Sequence, residues 1–145
     1  MTATIAMRDA PNRSDSDSCT QPDAILEAHE LHEKASAAGF DWTEVAGVLA
    51  KVREELDELH AALDAGDEQH ARRELGDLLF SAINLARFLR ADPSFELRRA
   101  SARFAARFGA LQAEATRRGM NMQECTLEQL DVIWEEIKVK RGGKE

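Results

Sequence analysis

Two acidic motifs are the parts of this 145-residue chain whose residue types and spacing could do chemistry. They are Glu54-Glu55-Leu56-Asp57-Glu58 and Glu74-Leu75-Gly76-Asp77, and each lies in a strongly helical stretch. Residues three and four positions apart share a helix face, so each motif presents carboxylates about one turn apart. If the two helices pack antiparallel across the short turn at residues 64–67, up to four carboxylates converge. They would repel one another unless a divalent cation held them.

The ligand atoms in these motifs indicate which cation that would be. Neither motif contains His or Cys, so carboxylate oxygens are the only metal-ligating side-chain atoms that the motifs supply. Hard oxygen ligands are typical of magnesium and manganese sites rather than zinc sites. A magnesium ion bound in this way usually serves substrate phosphates. The motifs therefore predict a Mg²⁺ site, with Mn²⁺ as a substitute.

Five helices are predicted to position the acids, over residues of about 23–38, 43–64, 67–90, 92–118 and 126–141. Helix-cap residues and apolar periodicity mark their ends and their buried faces. No segment shows the alternation of a β-strand. The predicted fold class is therefore all-α, a helical bundle of about five helices with short loops.

The second and third helices should hold the acids at the edge of a core. The second helix carries an apolar stripe that includes Leu56 and Leu63, and its glutamates flank that stripe. The third helix is apolar around most of its circumference, so Glu74 and Asp77 are costly there unless they are paired or bound to metal. Its apolar surface also predicts a covering subunit, and hence dimerisation through helix packing.

Composition and charge exclude several function classes. A formal net charge of -8 and no basic tract argue against a nucleic-acid polymer as partner. No apolar run approaches the roughly 20 residues that a membrane span needs. Residues 1–22 are predicted to be a disordered tail, which leaves one domain over residues 23–141. Cys19 and Cys125 suggest no disulfide framework, so a cytoplasmic location is expected.

The acidic motifs resemble the EExxE and ExxD signature of the MazG nucleoside triphosphate pyrophosphohydrolases. The resemblance covers residues of roughly 23–140 and extends beyond the acids. The other similar segments are Gly39-Phe40-Asp41-Trp42, Gly76-Asp77-Leu78-Leu79-Phe80, Asn84-Leu85-Ala86-Arg87, Phe104 to Phe108, Arg118-Gly119-Met120 and Ile133-Trp134-Glu135-Glu136.

The resemblance implies an all-α enzyme, at least dimeric, that uses Mg²⁺ to hydrolyse NTPs or dNTPs between the α and β phosphates. The products are the nucleoside monophosphate and pyrophosphate, and the implied role is cleaning of the nucleotide pool. The implied metal ligands are Glu55, Glu58, Glu74 and Asp77. The implied nucleotide contacts are Lys51, Arg103, Arg107 and Trp134.

Two further residues are open to more than one interpretation. Glu54 is not needed as a primary ligand, so we hypothesise that it deprotonates or orients the attacking water. Asn84 either completes a buried polar network or reads the nucleobase. For the whole chain, the alternative function is a non-catalytic nucleotide sensor or a helical interaction module. Assembly is expected to be a homodimer or a dimer of dimers.

Overall fold

The computed structural model describes residues 23–141, and its regular elements in that range are all helical. They are α1 (Ala24–Ala37), α2 (Val45–Asp64), α3 (Glu68–Phe88), α4 (Pro93–Arg117) and α5 (Leu127–Arg141), with one 3₁₀ turn at Met122–Glu124. The predicted all-α fold is confirmed, and its predicted helix ends lie within two residues of the observed ones. The predicted tail lies outside the described residues.

Short-range chemistry sets the helix ends. Asp67 caps α3, because its Oδ1 accepts a hydrogen bond from the backbone N–H of His70 at 3.0 Å. A capping box starts α5: the Thr126 N–H donates to Gln129 Oε1 at 2.9 Å, and the Gln129 N–H donates to Thr126 Oγ1 at 3.3 Å. Gly119 follows α4 with φ 70°, a conformation that favours glycine.

The chain divides into two compact units, and the first ends at Ser94. Within it, α2 and α3 pack together as an antiparallel hairpin, and α1 packs on α3. The apolar residues buried here are few and small: Val48, Ala62 and Ala71. Four polar residues are buried with them, namely Glu55, Glu74, Ser81 and Asn84. Since burying polar groups costs free energy unless they are paired, this unit is where a functional site is expected.

The second unit begins at Phe95. Its core is formed by Leu111 of α4 with Ile133 and Ile137 of α5, and Met120, Met122 and Trp134 pack against them. Arg118 forms ion pairs with Glu114 and with Glu136 of α5. Both apolar and charged side chains therefore hold α4 and α5 together.

The helices of the first unit are more exposed than their apolar patterns predicted. Leu56 and Leu63 of α2 are 51% and 40% exposed, and Leu75 and Leu79 of α3 are 46% and 59% exposed. The reason is geometric, because α1 and α2 cover only part of the α3 surface. Within residues 23–141, no helix combines the length and the apolar character required to cross a bilayer.

Candidate active site

Three carboxylates converge on one small volume at the α2–α3 hairpin. Glu55 and Glu58 come from successive turns of α2, and Glu74 comes from α3. One oxygen of each carboxylate lies within 4.8 Å of the other two. Glu55 and Glu74 are only 4% and 8% exposed, whereas Glu58 faces solvent. We call these three residues the acidic triad.

The acidic triad is electrostatically unfavourable by itself. Desolvation, and then repulsion from Glu74, Glu55 and Glu54, raises the pKa of Glu58. Mutual repulsion of this kind is relieved by a cation held between the carboxylates. Because all the donor atoms are carboxylate oxygens at short mutual distances, the triad fits a hard divalent ion such as Mg²⁺ or Mn²⁺.

Each buried carboxylate of the triad also has a nitrogen partner. Lys51 Nζ lies 2.7 Å from Glu55 Oε1, and His70 Nε2 lies 2.7 Å from Glu74 Oε1. Such pairing offsets part of the cost of burying a charge. His70 lies outside both acidic motifs and was not predicted to contact them, although its place one turn before Glu74 on the same helix could have indicated this contact.

Lys51 also bridges to Glu54, the predicted water activator. Its Nζ donates to Glu54 Oε1 at 2.9 Å, and the hydrogen bonds to Glu55 and then Glu54 raise the pKa of the Lys51 ammonium. The Glu54 side chain is 56% exposed, so its carboxylate stands at the solvent side of Glu55. Asp57, in the same motif, is an exposed charge outside the triad.

A pocket of about 300 Å³ adjoins the triad, and Glu55 is common to both. Lys51 and Asp77 line the pocket beside Glu55. Asp77, the fourth predicted ligand, therefore lies at the pocket wall and outside the set of three mutually close carboxylates. The volume is at the lower end of the range for small-molecule sites.

Aromatic side chains form part of the pocket wall. They are His32 from α1, Phe40 and Trp42 from the α1–α2 connection, and Phe80 from α3. His32 Nε2 donates to the Phe80 carbonyl at 3.0 Å, and the two rings lie 4.0 Å apart between centroids. Desolvation by burial lowers the pKa of His32, which favours the neutral ring. Flat aromatic walls of this kind suit a planar ring as ligand.

A polar network lines this pocket and includes Asn84, which is 2% exposed. Arg87 Nε donates to Asn84 Oδ1 at 2.9 Å, and Arg87 Nη2 donates to Asp41 Oδ1 at 2.6 Å. The hydrogen bond from Arg87 lowers the pKa of Asp41 to about 2. Because Arg87 occupies the amide oxygen, the Asn84 side chain is oriented to offer its NH₂ group as a donor. The contact between Arg87 and Asp41 was not predicted, because the two residues are 46 positions apart in the sequence.

The remaining predicted site residues lie in the second unit. Arg103 and Arg107 are one turn apart on α4, so they share a helix face. Trp134 is partly buried on α5 against the core of that unit, and its ring centroid lies 5.5 Å from that of Phe104. Within this unit, Trp134 therefore packs as a side chain at the edge of the core.

Comparison with known proteins identifies relatives of this chain. Residues 43–109 match the MazG nucleotide pyrophosphohydrolase domain. The chain is 41% identical over 122 residues to the nucleoside triphosphate pyrophosphohydrolase/pyrophosphatase MazG of Thermotoga maritima, covering 84% of this chain and 46% of that protein. It is 33% identical over 117 residues to the nucleoside triphosphate pyrophosphohydrolase of Escherichia coli K12, covering 79% of this chain and 44% of that protein. The chain thus spans about half the length of these curated relatives.

Proposed function

Because this chain belongs to the MazG family of nucleotide pyrophosphohydrolases, we propose that it hydrolyses NTPs or dNTPs at the α–β phosphoanhydride. The products would be a nucleoside monophosphate and pyrophosphate. The observation that carries the proposal is the position of the acidic triad beside an aromatic pocket, with Glu55 in both. A nucleoside triphosphate has matching parts: a planar base for the pocket, and phosphates that need a cation.

The proposed metal ligands are Glu55, Glu58, Glu74 and Asp77. The first three are mutually close, and Asp77 stands one turn along α3 from Glu74, at the pocket wall. When bound, Mg²⁺, or Mn²⁺ in its place, supplies charge neutralisation at the phosphate oxygens and acidifies a bound water. The protein's own part is to hold the three carboxylates of the acidic triad close together, with Asp77 at the adjoining pocket wall.

The proposed reaction is attack of water on the α-phosphorus. The water oxygen forms a bond to the α-phosphorus, the bond to the bridging oxygen breaks, and pyrophosphate leaves with that oxygen. Glu54 is the proposed base that orients the water and accepts its proton. Its carboxylate is more than half exposed and is held by Lys51 at 2.9 Å, so it can contact both water and substrate.

The other predicted contact residues are proposed to bind the substrate. Lys51, which lines the pocket beside the acids, would stabilise the departing pyrophosphate. Asn84 would donate its amide NH₂ group to an acceptor atom on the base. Arg103 and Arg107 are proposed to bind triphosphate oxygens, for which two guanidinium groups on one helix face are suited. Trp134 is proposed to contact the base through its indole.

We propose a homodimer or a dimer of dimers as the working assembly, in the cytoplasm, with nucleotide-pool cleaning as the role. Leu75 and Leu79 support the proposed assembly, because they stand four residues apart on α3 and are about half exposed. Neighbouring apolar side chains on one helix face are typical of a surface that another chain covers.

A product analysis tests the proposal. The protein is incubated with a panel of NTPs and dNTPs and Mg²⁺, and monophosphate, diphosphate, phosphate and pyrophosphate are resolved by chromatography. We expect monophosphate and pyrophosphate in equal amounts, and no turnover when EDTA is present. Diphosphate with orthophosphate would refute the cleavage site. Tight nucleotide binding without any product would favour the alternative function, a non-catalytic sensor.

A further inference from the structure

We propose that His70 is a positioning residue that fixes the carboxylate of Glu74, an inference that rests on the proposed function because it takes Glu74 as a metal ligand. The contact lies outside both acidic motifs. His70 Nε2 is 2.7 Å from Glu74 Oε1, and the two residues are one turn apart on α3. Since an ionised carboxylate can only accept, the imidazole donates its Nε2–H.

His70 is itself held in place by the start of the helix. Its backbone N–H donates to the capping Oδ1 of Asp67 at 3.0 Å, so the first turn of α3 is fixed where the imidazole begins. A path of one hydrogen bond and one 2.7 Å contact thus runs from Asp67 through His70 to Glu74. It connects the rigid helix end to the carboxylate that meets α2.

Two effects oppose a fixed position of the Glu74 carboxylate. A glutamate side chain loses about 1.5–2 kcal/mol of rotamer freedom when it is fixed. The carboxylates of Glu55 and Glu58, within 4.8 Å, also repel it. The contact of His70 with Oε1 would hold Glu74 in the cluster against this repulsion. Partners that orient metal ligands in this way typically contribute about 10- to 100-fold to metal affinity.

The test is Mn²⁺ affinity without nucleotide, measured from the free-ion signal in electron paramagnetic resonance titrations. His70→Leu removes the donor and should weaken Mn²⁺ binding about tenfold. His70→Gln keeps an N–H donor that reaches the residue one turn on, and should bind within about threefold of wild type. His60→Leu is the matched control. His60 forms the same kind of i,i+4 contact with Asp64, at 3.6 Å, on the exposed surface of α2.

Three results would overturn the inference: wild-type affinity in His70→Leu, equal losses in His70→Gln and His70→Leu, or no Mn²⁺ binding by the wild-type protein. Thermal unfolding of each variant identifies any loss that comes from misfolding, and His70→Gln still tests the donor if His70→Leu does not fold. The expected series of Mn²⁺ affinities in a protein that hydrolyses no nucleotide would support the role of His70 and contradict the proposed function alone.

Discussion

Glu54 differs from its neighbour Glu55 in exposure. Lys51 binds both Glu54 and Glu55, yet Glu55 is buried and Glu54 is more than half exposed. A carboxylate held at the solvent side of the acidic triad is suited to orienting a water molecule. The buried one is suited to ligating the ion, so adjacent residues in the sequence have different proposed roles.

Glu54→Gln should therefore lower turnover without removing the metal. The amide keeps the size of the side chain and can still accept from Lys51, but it cannot take a proton. We expect kcat to fall by about 100-fold, the lower end of the range for general-base catalysis, with Mg²⁺ affinity within about twofold of wild type. Steady-state kinetics and metal titration check this, with Asp57→Asn on the same helix as the control. Unchanged kcat would contradict the role of Glu54.

The Asp41–Arg87 pair should make stability depend on pH in acid. The hydrogen bond from Arg87 lowers the pKa of Asp41 from 3.8 to about 2. The folded state therefore binds the carboxyl proton of Asp41 less tightly than the unfolded state does. The pair contributes stability above pH of about 4, and this is lost as the pH falls through about 2.

Asp41→Asn should remove this dependence while keeping an oxygen acceptor at the same place. We expect the variant to melt about 2–4 °C below wild type at pH 6, the size expected of an ion pair worth less than about 1 kcal/mol. The difference in Tm should shrink between pH 5 and pH 2. Thermal scans monitored by circular dichroism measure it, with the exposed Asp57→Asn variant as control. A difference that stays constant down to pH 2 would count against the ion pair.

At the scale of elements, α2 begins where an aromatic side chain lies directly on its backbone. A Cβ added at Gly47 would meet Trp42 Cδ1 at 2.2 Å, so only glycine lets the indole take this position in the pocket wall. A Cβ added at Gly109, within α4, would have no such neighbouring heavy atom within 4 Å. The two glycines therefore allow a matched comparison.

Gly47→Ala should destabilise the protein, whereas Gly109→Ala should not. Alanine in a helix is favoured over glycine by about 0.5–1 kcal/mol, and this gain should appear at position 109. At position 47 the clash with Trp42 should cost about 1–3 kcal/mol, shift the tryptophan fluorescence and raise KM for nucleotide. Urea unfolding and fluorescence spectra check both variants. A stabilised Gly47→Ala variant with an unchanged spectrum would show that Trp42 does not need the glycine.

The sequence predicted the elements of this fold well because their signals are local. The Thr126–Gln129 capping box and Gly119 act within a few residues of the ends they mark. The burial of Glu55 was not predicted, because it depends on how α3 lies against α2. The same holds for the contact of His32 with Phe80, which are 48 positions apart in the sequence. The spacing of Glu55 and Glu58 within one helix predicted that they lie close together. The exposed fraction of each side chain could be known only from the tertiary structure.

At the scale of the whole molecule, the exposed leucines of α3 predict self-association. Leu79 is 59% exposed and stands one turn from Leu75, which is 46% exposed. Leu79→Glu places a charge on this surface and should shift the protein toward monomers at micromolar concentration, because an unpaired charge is costly in an interface. Light scattering gives the mass. Leu127→Glu, at a 78% exposed position in the first turn of α5, is the control. A wild-type monomer would contradict the proposed assembly.

Hydrolysis at the α–β phosphoanhydride is tested most directly by finding which product carries the oxygen atom that comes from water. The protein turns over a dNTP with Mg²⁺ in water enriched in ¹⁸O. The products are then separated, and the mass of each is measured by mass spectrometry. Attack on the α-phosphorus predicts one ¹⁸O atom in the nucleoside monophosphate and none in pyrophosphate. Label in pyrophosphate, or labelled orthophosphate with nucleoside diphosphate, would contradict it.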